Sequence, residues 1–144
     1  MDNFFKISEQ DWKIINVLKN DSRMSIRDIA KVTKLRPTTV HNRIKRLRQD
    51  GVIEKFTIKL DNKKSGQEFI AFLFVLTSQK IDAKQFNNPH IKEVFGVTGE
   101  FDLLLKCKFK DITEFNDFLI NFRDNNPVKK TMSLVSTCVI KEDV

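Results

Sequence analysis

Apolar residues in the first part of the chain recur with a helical period that short polar clusters interrupt. Ser8 and Asp11 have capping-box spacing, which predicts a helix starting near Glu9. Its buried face is expected from Trp12, Ile15 and Leu18, with Ile14 beside them, and Asn20-Asp21-Ser22 breaks the pattern. Ser25 and Asp28 repeat the cap spacing and open a second short helix whose Ile29, Ala30 and Val32 face inward. After a connection of only Thr33-Lys34-Leu35, residues 36–48 read as a third helix, with Val40, Ile44 and Leu47 as a thin apolar seam. Pro37 suits its first position, where a missing N–H costs nothing. Asp50-Gly51 closes it, with Gly51 able to take the left-handed conformation. Residues 52–60 are rich in branched and aromatic side chains and predict a strand.

Beyond Lys63-Lys64-Ser65-Gly66, the expected boundary, the pattern changes. A mostly buried strand is predicted over 67–76, and a short helix capped by Asp82 over 82–88. Two strands follow over 94–98 and 101–109, joined by a tight turn at Gly99-Glu100. Asp111 opens a helix whose capping box Glu114 completes, with Ile112, Phe115, Phe118, Leu119 and Phe122 as its apolar stripe. Asn125-Asn126-Pro127 stops it, and a long strand is expected over 128–140. The order βαββαβ is the ferredoxin-like split, so the expected class is α+β, with one module over 1–60 and a second over 66–144. An antiparallel sheet with both helices on one face leaves its other face uncovered. Self-association is the simplest cover for it.

Two helices joined by a short turn, the second one basic, match a helix-turn-helix. The usual turn glycine is absent, and Thr33-Lys34 serves instead. A strand after the basic helix points to the winged variant. At about 100° per residue, Thr38, Asn42, Lys45 and Gln49 fall opposite the apolar seam, flanked by Thr39, His41 and Arg46. Small polar side chains let a helix approach base edges in the major groove, whereas long cations reach phosphates without exact register. Thr38, Thr39, His41 and Asn42 are therefore the candidate base readers; Asn pairs bidentately with adenine, and the Thr methyl meets that of thymine. Arg43, Lys45 and Arg46 are candidate phosphate contacts, with Arg36 and Pro37 at the helix start. The alternative is an amphipathic surface helix with a solvated charged face.

Charge favours nucleic acid. Residues 1–60 hold 14 Lys/Arg against 7 Asp/Glu, and residues 61–144 hold 12 of each, so the whole net charge of +7 lies on the first module. A basic patch confined to one module is the footprint of phosphate binding. An anionic membrane would attract it too, but no strongly apolar face lies opposite the charges. Nothing approaches the roughly 20 apolar residues of a membrane span. The acidic start Met1-Asp2-Asn3 is unlike a signal peptide, so a cytoplasmic location is expected. Cys107 and Cys138 read as free thiols. His41 and His90 have no ligand-like spacing, so no metal is expected. With no phosphate loop, nucleophile elbow or metalloprotease helix, neither a cofactor nor enzyme activity is expected. RNA recognition by the sheet would need exposed aromatics where Phe101-Asp102-Leu103-Leu104-Leu105 has an acid and aliphatics.

Over nearly its full length the chain resembles the Lrp/AsnC, or feast/famine, regulators of bacteria and archaea. The residues that carry the resemblance are Asp11, Ile14-Ile15, Leu18, Asn20-Asp21-Ser22-Arg23, Ile29-Ala30, Val40, Arg43-Ile44, Leu47 and Gly51-Val52-Ile53. Val97-Thr98-Gly99-Glu100-Phe101-Asp102 carries it in the second half. The resemblance implies a transcription regulator with an N-terminal winged helix-turn-helix on double-stranded DNA. It also implies a connecting strand that pairs with a second subunit, and homodimers gathered into tetramers or octamers. An amino-acid effector would bind between subunits near Thr98, Gly99, Glu100, Phe101 and Asp102, with Thr131 and Ser133 from the last strand. Gly99 serves either that site or the turn itself, and Asp102 either an effector ammonium or the hairpin backbone. An effector-independent architectural DNA binder shares every N-terminal feature and stands as the alternative.

Overall fold

A computed structural model of the chain describes residues 6–143; the acidic start Met1-Asp2-Asn3 and the final Val144 lie outside them. The described residues form two compact units that divide between Ile58 and Lys59.

The first unit contains α1 (Glu9–Asn20), α2 (Ile26–Thr33) and α3 (Pro37–Gln49). Ser8 caps α1 through a complete capping box with Asp11, and Ser25 accepts from the Asp28 backbone N–H to start α2. Ile14, Ile29, Ala30 and Val40 form the buried centre, with Val17, Leu18, Met24, Ile26, Leu35 and Ile44 packed around it. Two inward assignments change. Trp12 is 48% exposed, and the inward position beside Ile14 belongs to Asp11, which is fully buried. Val32 likewise faces out, while Thr33 turns in and donates its hydroxyl to the Ile29 carbonyl at 2.7 Å. The packing of three helices, rather than the period of any one, selects which of two adjacent faces is covered.

Lys34 ends α2 with φ 58°, the left-handed turn that a glycine would adopt without strain. Lys34→Gly should therefore raise the stability of this unit by about 0.5 kcal/mol, read as a shift in the denaturation midpoint. An unchanged or lower midpoint would show that the side chain does more than occupy the turn. Gly51 takes φ +73° after α3, as its position predicts.

Residues 52–60 form no strand among the described residues, contrary to expectation. A strand exists by its ladder, and none of the sheet's four strands offers this segment one.

The second unit is the predicted ferredoxin-like split. β1 (Phe69–Thr77), β2 (Ile91–Gly96), β3 (Leu103–Phe109) and β4 (Val128–Val135) form an antiparallel sheet in the order β2-β3-β1-β4. The helix expected over 82–88 is a single 3₁₀ turn, Ala83–Phe86, with the Asp82 side chain accepting from the Lys84 N–H. α4 (Ile112–Asn125) starts at Asp111, whose carboxylate accepts from the Glu114 N–H; the Glu114 side chain accepts from the Lys110 N–H. β4 stops at Val135, short of the predicted end at Ile140. Ala71, Leu73, Val75, Leu105, Cys107 and Phe109 pack against Phe115, Phe118 and Phe122 of α4.

Cys107 is buried in that core. Burial pushes its thiol up to about 12, more than the nearby Lys92 charge lowers it. Maleimide at pH 8 should leave Cys107 unmodified until denaturant is added, as checked by peptide mass mapping. Labelling of the native protein at Cys107 would contradict this packing.

Candidate functional site

α3 begins without a side-chain cap. Arg36 occupies the cap position with its side chain unused there, and Pro37 pre-sets the first turn. Val40 and Leu47 are fully buried, which turns Thr38, His41, Asn42, Lys45 and Gln49 outward as one stripe; Thr39 is half-buried beside it. The predicted reading face is thus a contiguous exposed surface, with short polar side chains near the helix start and cations further along.

Arg43 is placed differently from a phosphate anchor. Its guanidinium is three-quarters buried and runs back to α1: Nη1 donates to Asp11 Oδ1 at 2.9 Å and to Ser8 Oγ at 3.1 Å, and Nη2 to Gln10 Oε1 at 2.5 Å. Its Nε is buried with no hydrogen-bond partner among the described residues. Arg46 Nη2 donates to Asp11 Oδ2 at 3.0 Å, with about half of its side chain exposed. The same carboxylate accepts from the Ser8 N–H and hydroxyl. Burial alone would raise the Asp11 pKa. The hydrogen bonds from Ser8 and Arg43, with the Arg43 charge, outweigh it and hold the carboxyl below the usual carboxylate range. Asp11 is thus both a helix cap and the anchor that fixes α3 on α1. A spacing of three residues between Arg43 and Arg46, with an acid on the inner face of α1, was the available signal. Arg48 holds the chain after α3, donating to the Ile53 and Glu54 carbonyls and lying 5.6 Å over the Phe56 ring.

In the second unit the loop between β2 and β3 contains Thr98, Gly99, Glu100, Phe101 and Asp102. Asp102 is a backbone tie. Its Oδ2 accepts from the Thr77 N–H at 2.8 Å and hydroxyl at 2.9 Å, and its own N–H donates to the Val75 carbonyl. Those two bonds from Thr77 hold its pKa below the ordinary value. Gly99 has φ +124° with open space around a would-be Cβ, so the backbone rather than crowding requires glycine. Glu100 pairs with Lys130, whose ammonium lies 5.5 Å from the Phe101 ring centroid, and Phe101 packs on Phe74 at 5.6 Å. Thr77, Phe74 and Lys130 escape a reading of the sequence because they are distant in the chain.

Thr131 pairs with Val75 and Ser133 with Leu73, so their side chains share the α4-covered face with those core residues. Phe74, against which Phe101 packs, alternates to the other face. One chain therefore does not gather all seven expected effector residues around one point.

Known proteins share this fold. Residues 7–54 match the family model described as winged helix-turn-helix DNA-binding, and residues 76–144 that of the Lrp/AsnC ligand binding domain. The chain is 34% identical over 140 residues to the HTH-type transcriptional regulator FL11 of Pyrococcus furiosus, covering 94% of this chain and 93% of that one. B. subtilis LrpC, at 26% identity, superposes with a TM-score of 0.83 over 94% of this chain and 98% of its own. A Neisseria meningitidis transcriptional regulator solved as an L-Met complex, at 23% identity, shares the fold with a TM-score of 0.87 over 96% and 94%. No helix among the described residues is long and apolar enough to cross a membrane. With a DNA-binding helix-turn-helix in front of a ferredoxin-like ligand-binding unit, and regulators as its relatives, this chain belongs to the Lrp/AsnC family of transcriptional regulators.

Proposed function

We propose that the protein binds a specific pseudo-palindromic DNA site as a dimer or larger homo-oligomer, and that an amino acid or related metabolite modulates the binding. The observation that carries this reading is the outward stripe of Thr38, His41, Asn42 and Lys45 on α3, in a module holding the whole excess of positive charge. Thr38, Thr39, His41 and Asn42 read base edges. Arg36 and Lys45 meet phosphates, with Pro37 setting the approach of the helix start, and Arg43 and Arg46 hold the helix in position through Asp11.

Dimerisation is supported by the sheet face opposite α4, where Phe95, Met132 and Leu134 are exposed beside half-buried Phe72, Phe74 and Leu104. It is supported further by residues 52–60, in which Phe56, Ile58 and Leu60 are exposed at alternate positions, the pattern of a strand awaiting a partner. Two-fold pairing would set two α3 helices on half-sites about one helical turn apart. The effector reading draws on the ligand-binding family model and on the L-Met complex of the Neisseria regulator. Thr98, Gly99, Glu100, Phe101 and Asp102 would meet Thr131 and Ser133 of another subunit, which fits their separation within one chain. Effector bound between subunits would bias one assembly and change DNA affinity by linkage.

A mobility-shift titration on the DNA upstream of the protein's own gene, at two salt concentrations and against scrambled competitor, tests the reading. Saturable binding that survives competitor is expected; equal competition by any DNA would favour the architectural alternative. Asn42→Ala should change which base is preferred at one position of each half-site, by about 1–3 kcal/mol of discrimination, in a selection from randomised sites. Uniform weakening without a change of preference would remove Asn42 from the base readers.

A further inference from the structure

A cleft of about 310 Å³ lies between the segment preceding β2 and helix α4, away from the β2–β3 loop residues described above. Phe118 and Phe122 line it together with His90, Glu114 and Asp117, and no Lys or Arg is among the lining residues. The His90 ring is fixed in place. It stacks on Phe109 with centroids 4.8 Å apart, and its Nδ1 lies 3.1 Å from the Lys108 carbonyl oxygen. A carbonyl only accepts, so in the neutral ring Nδ1 carries the proton and Nε2 presents a lone pair. Nε2 stands 3.8 Å from Glu114 Oε1. That is too far for a direct hydrogen bond, but both acceptors lie within reach of one ammonium nitrogen placed about 2.8 Å from each. The other oxygen of Glu114 accepts from the Lys110 N–H at 2.6 Å, which holds the carboxylate in position.

Asp117 is three residues further along α4 and so shares the face with Glu114. It makes no hydrogen bond or ion pair among the described residues. Both carboxylates line the cleft, and side chains three apart on a helix are neighbours at about 5–6 Å between Cβ atoms, so one short dication can span them. Phe118 and Phe122 are buried rings that add an apolar bed and a π surface for a cation. Among the described residues no three His, Cys, Asp or Glu side chains are grouped to hold a metal ion, so an organic cation fits this donor set better.

We propose that this cleft is a second ligand site, for a short aliphatic diammonium compound. One ammonium bridges Glu114 and His90, the other meets Asp117, and the methylenes lie over Phe118 and Phe122. The full chain without DNA, titrated with 1,4-diaminobutane by calorimetry and by amide chemical shifts, tests this. Saturation near or below about 1 mM is expected, with shifts confined to residues 85–90 and 114–122. Glu114→Gln and Asp117→Asn should each weaken binding roughly ten-fold while preserving the circular dichroism spectrum, and butylamine should bind roughly ten-fold more weakly. No saturable shift up to about 10 mM, equal affinity in both variants, or displacement of the diamine by stoichiometric zinc would overturn the proposal.

Discussion

Asp11→Asn is expected to destabilise the N-terminal unit by about 3 kcal/mol, the largest effect of any single substitution outside the apolar core. The carboxylate is fully buried and accepts from Ser8, Arg43 and Arg46. An amide keeps the shape but turns an NH2 group toward a guanidinium and leaves Arg43, three-quarters buried, without its counter-charge. The partial exposure of Arg46 lets water recover some of the loss, which places the effect at the low end of the range for broken buried pairs. Trp12, the one tryptophan of the chain and half exposed on the same helix, provides the fluorescence signal for denaturant unfolding.

The pH dependence has a defined sign. The folded-state pKa of Asp11 lies below its unfolded value of about 3.9, so the stabilisation is fully present above that pH. It is lost as pH falls through the lower folded value. The gap between wild type and Asp11→Asn should therefore be constant from pH 7 to about 5 and narrow below about 4. A gap that persists unchanged at pH 2 would show that shape, not charge, accounts for the loss.

The second large effect concerns DNA. Arg36 and Lys45 make no side-chain hydrogen bond or ion pair among the described residues, so neutralising them leaves the fold intact. The double substitution Arg36→Gln with Lys45→Gln should weaken binding on the order of 100-fold near physiological salt, on the preferred site and on unrelated DNA alike. The slope of log affinity against log salt should fall by about four for a dimer, one for each of the two phosphates that each subunit no longer neutralises. Reversing Arg43 and Arg46 would be a poorer test, because both hold Asp11 and the loss would mix folding with binding. An unchanged salt slope with intact unfolding curves would place the phosphate-binding cations elsewhere on the module.

What the chain order states directly is local. The caps Ser8, Ser25, Asp82 and Asp111 lie within three residues of the N–H groups from which they accept, so their spacing alone reveals them. The outward stripe of α3 and the βαββαβ order likewise follow from the period of apolar residues. The family is legible there too, through the resemblance that short runs such as Asn20-Asp21-Ser22-Arg23 and Val97-Thr98-Gly99-Glu100-Phe101-Asp102 carry.

Features that depend on a distant partner are invisible at that level. Trp12 and Val32 read as inward because a single helix leaves two neighbouring faces equally plausible, and only the packed helices choose between them. Arg43 resembles a phosphate anchor until a carboxylate 32 residues earlier is seen beneath it. Register, fixed by pairing with Val75 and Leu73, puts Thr131 and Ser133 on the α4 face, away from Phe101. The expected strand over 52–60 is the converse case: its alternating pattern is written in the sequence, but a ladder needs a second strand, and within the described chain there is none.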